Sequence, residues 1–274
     1  MACAICAGAM EYCFTAEVLC KYPAQYEWCR TCGYLRVREP HWLDEAYSSS
    51  IAAADTGLVA RNLSRAFQLA AALYWIVGER GTGRYLDAAG GYGMLTRLMR
   101  DIGFDFYWAD KYSPNLLAQG FEYALSRGPC RAVTAVEVFE HLPDPTAFLA
   151  EIVSLSGAST LLFTTELFQG RPPDPQAWWY YSFATGQHIG FFQRSTLETM
   201  AKKVGLRFAT ANGLHVFSRE PVNEMLLRLA TGRLAAFVGS FWIRHHLGTK
   251  TISDHELMLR RALEVDAHLS GRQE

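Results

Sequence analysis

The chain lacks several things that would have settled its class at once. No apolar run reaches the length of a membrane-crossing helix. The nearest, LAAFVGSFWI from Leu234, is bounded by Arg233 and Arg244; it reads first as a packed helix, with an interfacial membrane helix or an oligomer contact as the alternatives. There is no surplus of positive charge. With 26 Lys and Arg against 27 Asp and Glu, the formal net charge is −1, which supplies no electrostatic footprint for a nucleic-acid backbone and argues against a nucleic-acid partner. The start of the sequence has no basic stretch leading into an apolar core, so a cytoplasmic location is expected. Repeats and low-complexity tracts are absent too. What remains is a chain of 274 residues, half of them hydrophobic, enough for one substantial α/β domain with small additions.

Cysteine, by contrast, is plentiful near the start. Of seven cysteines, four form Cys3-x-x-Cys6 and Cys29-x-x-Cys32, two knuckles that can set four thiolates tetrahedrally around one zinc ion. Gly33 follows directly and permits the tight turn a knuckle needs. A disulfide-stapled segment is the competing reading, and it requires an oxidising compartment that nothing in the sequence suggests. Cys13 and Cys20 lie between the knuckles as substitute ligands, and Cys130 reads as a buried small side chain.

The most informative segment is YLDAAGGYGMLTRLMR, from Tyr85 to Arg100. A short apolar strand ends on Asp87, passes through a glycine-rich turn and opens a helix at about Met94. Gly90, Gly91 and Gly93 allow the backbone to lie close against a ligand, and the helix start leaves N–H groups free. A second strand, FDFYWAD, ends on Asp110, where a carboxylate could accept from both hydroxyls of a ribose. The acidic opening of the turn disfavours a pyrophosphate and suits an ammonium, which favours S-adenosylmethionine (SAM) over a dinucleotide.

These residues resemble motif I of class I SAM-dependent methyltransferases, usually D-x-G-x-G-x-G, with Ala89 in place of the first glycine. The resemblance continues in order along the chain. A buried strand spans Ala132 to Val136, and the EVFEH block is similar to the E-V-x-E-H segment of ubiquinone-type O-methyltransferases. A helix follows with Asp144 as N-cap and Pro145 at its first position. STLLFTTE from Ser159 reads as a further strand, and a helix starts near Ser195. RFATANGLHVFSR forms two strands around Asn212-Gly213, a pair that favours a type I′ hairpin. The resemblance implies a Rossmann-like α/β domain over residues 81–220, with a seven-stranded sheet ending in an antiparallel hairpin. Its third strand is compressed into GFEYA, where Phe121 and Glu122 are candidates for the adenine side. Residues 1–40 form the zinc-ribbon-like module, 41–80 a helical connector with apolar Ile51, Leu58, Leu63, Phe67, Leu69 and Leu73, and 221–274 two or three helices whose Met225, Leu226, Leu229 and Leu234 suit packing on the main domain. A cysteine-rich module joined to a SAM domain is also the layout of sugar C-methyltransferases, which points to a carbohydrate-linked or other small-molecule acceptor.

Between the fifth strand and the next helix lies LFQGRPPDPQAWWYYSFATGQHIGFF, residues 167–192, placed where open α/β sheets bind ligands. Trp178, Trp179, Tyr180 and Tyr181 could cover a ring or the sulfonium, or pack the lid. Methyl transfer to a hydroxyl requires removal of a proton; His188 in this lid is the first candidate base and His141 the second. Glu137 joins them as a catalytic candidate and as a residue of the cofactor floor. In ubiquinone-type enzymes the E-x-x-E-H pattern, here Glu137, Glu140 and His141, is associated with a divalent cation; we read these residues instead as forming the cofactor floor and closing the loop. The alternative to an enzyme is a non-catalytic scaffold engaging a protein partner through its ribbon. An oligomer or protein partner would use the ribbon or the C-terminal helices.

Overall fold

The computed structural model describes residues 2–47 and 55–270; Ile51 of the connector lies outside them. Alternating burial along the N-terminal segment builds a hairpin of β1 (Glu11–Val18) and β2 (Tyr22–Trp28), continued by β3 (Leu35–Val37). A single helical turn, α1 (Leu43–Ala46), and the long α2 (Leu58–Trp75) lead into the main domain. There β4 (Arg84–Ala88), α3 (Met94–Ile102), β5 (Asp105–Ala109), β6 (Ala132–Val136), α4 (Pro145–Ser156) and β7 (Thr160–Thr164) alternate as strand and helix. The two-residue β8 (Gly190–Phe191), α5 (Arg194–Lys203), the hairpin β9 (Arg207–Ala211) and β10 (Leu214–Ser218), and α6 (Glu224–Ala230), α7 (Arg233–Leu247) and α8 (Thr251–Ser270) complete the chain.

The large sheet runs β5-β4-β6-β7-β10-β9. β4 is parallel to β5 and β6, and β6 to β7, whereas β10 is antiparallel to both β7 and β9. The sheet is covered on both faces. Leu86, Val133, Leu161, Phe163 and Phe217 pack with Leu149 of α4 and Leu197 and Met200 of α5, while Tyr85, Ala132, Leu162 and Val216 face Leu69, Leu73, Met99 and Ile243 on the other side. This is the period of two expected of buried strands. Local signals work as chemistry dictates: Asp144 accepts the Ala147 N–H at 2.9 Å ahead of Pro145, and Asn212 and Gly213 both take the positive φ of a type I′ turn, 53° and 71°.

Two expectations need correction. The described sheet has six strands, not seven. The GFEYA segment makes an isolated parallel bridge from Glu122 to Trp108, with backbone hydrogen bonds of 2.9 and 2.8 Å on either side of Trp108, while Asn115 Nδ2 and the Gly120 N–H hold the Glu122 carboxylate to its own loop at 2.7 and 3.2 Å. The second concerns the tail. Met225, Leu226, Leu229 and Leu234 do not pack on the domain; they are 67, 51, 64 and 75% exposed. α7 instead buries Ala236, Gly239, Ser240 and Ile243. The closest approach is at Gly239, where a Cβ would lie 2.4 Å from the Trp75 ring of α2, so no side chain fits at that position.

The small sheet is completed from the far end of the chain. β3 pairs with β8, giving the order β1-β2-β3-β8, and the Cys32 carbonyl accepts from the hydroxyls of Ser195 and Thr196 at 2.9 and 2.7 Å. At the other end, Asp254 of α8 takes paired hydrogen bonds from Arg100, both at 2.8 Å, and another from Arg97.

Candidate active site

The glycine-rich turn sits at the carboxyl end of β4. Asp87 is 1% exposed and accepts from the Thr134 hydroxyl at 2.9 Å and the Thr96 hydroxyl at 3.1 Å. Burial pushes its carboxyl up to about 7. Asp87 therefore braces the turn from beneath, joining β4, β6 and α3. Gly90 has no room for a side chain, since a Cβ there would lie 2.8 Å from Asp87 Oδ2 and 2.9 Å from Trp108. Gly91, at φ 54°, has open space beyond it, and Gly93, at φ 86°, caps α3.

Ala89 adopts φ 54°, the left-handed region that favours glycine. Ala89→Gly should therefore raise stability by about 1 kcal/mol, read as a higher urea midpoint at unchanged slope. A lower midpoint would mean that the methyl makes contacts worth more than the backbone strain.

Asp110 reaches the same turn from the end of β5. Its Oδ2 accepts the Gly91 N–H at 2.9 Å, and Oδ1 accepts from Tyr112 and Ser113 at 2.7 and 2.8 Å. With two acceptor positions per oxygen, one remains on Oδ2, room for one incoming hydroxyl rather than two. Trp108 fixes the turn from the side, donating to the Gly91 carbonyl at 2.8 Å. Phe121 stands apart from this group. It is buried, and the Arg100 guanidinium lies 3.7 Å above its ring.

Past β6 the chain turns sharply at Glu137, φ 54°. The Glu137 N–H donates to the Thr164 hydroxyl, which donates in turn to Oε1 of Glu137. Backbone strain held in this way by flanking hydrogen bonds is common beside active sites. The side chains that converge are Glu140, His141 and His188, with one ligand-type atom from each lying within 4.8 Å of the others. Glu137 is not in that set, which takes its third member from the lid instead of from the E-x-x-E-H run.

The lid makes this cluster. Tyr180 and Tyr181 are each 1% exposed and pack it down, while Trp179 is 75% exposed. The Tyr180 carbonyl lies 2.7 Å from His188 Nδ1, and the Gln187 carbonyl 3.0 Å from His141 Nδ1. A carbonyl only accepts, so each ring carries its proton on Nδ1 and keeps a lone pair on Nε2. The two rings meet edge to face with centroids 4.9 Å apart. Burial lowers the pKa of both.

Glu140 is fully buried, and neither carboxylate oxygen makes a hydrogen bond of good geometry among the described residues. Burial, reinforced by the Glu137 charge, pushes it up to about 7. Its Oε1 is 3.9 Å from His141 Nε2. Sequence reasoning missed Tyr47, whose hydroxyl lies 2.9 Å from His141 Nδ1 across 94 positions of chain; no local pattern marks it.

The four knuckle cysteines also come together. Sγ of Cys3 is 3.7 Å from that of Cys32, and Cys6 is 3.4 Å from Cys29, with all four within 4.8 Å of one another. A tetrahedral zinc–thiolate site with bonds of about 2.3 Å has sulfurs about 3.8 Å apart, so this donor set fits zinc. The hydrogen bond from Cys32 draws the Cys3 thiol down to about 5, while the Cys32 thiol is pushed up. Cys13 packs in the separate aromatic cluster under the lid, and Cys20 is exposed.

A parallel sheet closed by a reversed last strand, with a glycine-rich turn between Asp87 and Asp110, defines an α/β protein of the cofactor-binding type. The methyltransferase-domain family matches residues 53–211, more than half the chain, and the chain belongs to that family. No curated protein matches it. Among solved structures it is similar to TnmH, at 19% identity over 66% of this chain and 62% of that one, TM-score 0.48. It is also similar to the mitomycin 7-O-methyltransferase MmcR, at 18% identity over 57% and 53%, TM-score 0.42. A third is the magnesium protoporphyrin IX methyltransferase ChlM from Synechocystis PCC 6803, at 14% identity over 65% and 93%, TM-score 0.42. The likeness thus spans little more than half the length of MmcR and under two thirds of TnmH.

Proposed function

We propose that the protein is a SAM-dependent methyltransferase acting on a small-molecule or carbohydrate-linked acceptor. The observation that carries this reading is the pairing of Asp110 with the open glycine turn at Gly91, at the same end of the sheet as two neutral, oriented imidazoles. SAM, when bound, supplies an electrophilic methyl group on a sulfonium. The rest is work for this chain's side chains. Asp110 accepts a ribose hydroxyl on its remaining Oδ2 position, Gly91 lets the ligand lie on the backbone, and Asp87 holds the turn in shape through Thr96 and Thr134. His188 Nε2 takes the acceptor's proton as the methyl group is transferred, with His141 beside it, and Glu140 offsets the charge that forms. Burial of the cluster strengthens each of these interactions by excluding water. The knuckle cysteines Cys3, Cys6, Cys29 and Cys32 hold a structural zinc that fixes the sheet to which β8, two residues after His188, is paired.

Calorimetry with SAM and with its demethylated product, using NAD as control, tests the cofactor assignment. Both SAM species should bind and NAD should not. Asp110→Ala should weaken SAM by about 1–3 kcal/mol, about five- to 150-fold, through the unpaired hydroxyl and a loosened Gly91. Unchanged affinity would remove Asp110 from the site, and silence from both SAM species would remove the enzyme reading.

A further inference from the structure

α7 is built inside out for a helix of a water-soluble surface. Its inner face is Ala236, Gly239, Ser240 and Ile243, while Leu234, Phe237, Val238, Phe241 and Trp242 are left 75, 45, 58, 59 and 52% exposed, Phe237 and Trp242 at the margin where their rings also meet Phe67, Tyr74 and Trp75 of α2. These five lie at helical spacing and form one stripe. Met225, Leu226 and Leu229 of α6 extend the exposed apolar set. A patch of this size and aromatic content on a monomer marks a contact surface.

The charges carried by its helices are mostly of one sign. α2, α6 and α7 carry Arg61, Arg65, Arg228, Arg233 and Arg244, with His245 and His246 at the end of α7, against one carboxylate, Glu224. Glu224 is held by Arg194 at 2.7 Å. In a chain with net charge −1, this is a local segregation. Beside the stripe opens a cavity of about 450 Å³ lined by Arg61, Ser64, Arg65, Gln68, Asn212 and Arg233. Asp55 engages Arg61 and Gln68 engages Arg65, and Arg233, which directly precedes Leu234 of the stripe, adds a third guanidinium to the lining.

We infer that the α6–α7 face docks the protein on an anionic lipid surface, with the apolar stripe entering the acyl boundary and a phospholipid phosphate taken by the arginine-lined cavity. Charge complementarity selects this occupant over a second copy of the chain, since a two-fold contact through this face would bring a cationic rim against itself. Among the described residues no single helix is long and apolar enough to cross a membrane; α6 and α7 reach that length and apolarity only as a pair bent by 74°, and the proposal lays this pair along the surface. The inference is independent of the methyl-transfer reading.

Vesicle flotation of the full, zinc-replete chain tests it. Binding to phosphatidylcholine–phosphatidylglycerol vesicles, weak binding to phosphatidylcholine alone, and release by salt are expected. Phe241→Ser/Trp242→Ser should lower the bound fraction at least about ten-fold, given the apolar burial lost, and Arg233→Glu should abolish the preference for anionic lipid. Both changes are at exposed positions, and an unaltered thermal transition will establish that the variants are folded. Failure to float with either vesicle overturns the proposal, as does equal binding to both. A wild-type dimer in light scattering that Phe241→Ser/Trp242→Ser converts to monomer, without vesicle binding, would assign the face to self-association instead.

Discussion

His188→Ala is expected to lower turnover by about 10²–10⁴-fold while SAM affinity stays within about twofold. The size follows from the position of the ring. His188 is held by the Tyr180 carbonyl at 2.7 Å and stands edge to face with His141, so its Nε2 lone pair is oriented before substrate arrives. Burial lowers its pKa, which keeps the imidazole neutral, and able to accept a proton, throughout the neutral range. Activity should therefore hold through neutral pH and fall only on the acid side of the ordinary histidine value, about 6.5. The neighbouring Glu140 charge opposes that lowering. Glu140 is itself pushed up to about 7, so the two groups titrate as a pair; Glu140→Gln should leave His188 titrating alone, with the acid limb at lower pH. A merely structural His188 would lose SAM binding together with turnover and would show no such movement. Either result would transfer the base to His141.

Loss of the thiolate site should have the largest effect on stability. Cys29→Ser is expected to release about one zinc per chain and to cost more than about 4 kcal/mol, well beyond an ordinary point substitution, because structural zinc in small modules contributes about 10–16 kcal/mol of apparent binding energy. The damage should not stay in the N-terminal segment. β3 pairs with β8, and β8 begins two residues after His188. Cys32 accepts from Ser195 and Thr196 at the start of α5. Stripping the metal with a chelator should thus lower both the first thermal transition and turnover. Metal analysis after purification without chelator decides the matter: a chain free of zinc yet fully stable would leave four packed thiols and no ribbon.

The parts of the fold that were legible rest on local rules. The turn after Asp87 is written in its glycines, and the Asp144-Pro145 helix start and the Asn212-Gly213 hairpin follow from capping and φ preference within a few residues. Ala89 shows the limit of such reading: an alanine in a glycine's place was visible, but its left-handed backbone was not. The missing third strand had the same origin. GFEYA is a reasonable strand by composition, yet its pairing with β5 stops at the single bridge to Trp108, an extent that no local propensity encodes.

The cluster at the site and the face of α7 needed the folded chain. Glu137, Glu140 and His141 are neighbours in sequence, yet the positive φ at Glu137 sends its carboxylate to Thr164. The place beside Glu140 is taken by His188, carried there by a lid whose path depends on Tyr180 and Tyr181 finding buried positions. The amphipathic pattern of the tail was equally visible, but a stripe tells that a helix has two faces and not which one turns inward. The Trp75 ring leaves no room for a side chain at position 239, and the glycine there turns inward together with Ile243. The sequence by itself determined the strand–turn–helix site, the four-cysteine pattern and the order of the elements, since these depend on backbone preference and near spacing. Only the tertiary structure decided which histidine meets which carboxylate and which apolar face stays outside, because both depend on the shapes of partners far away in the chain.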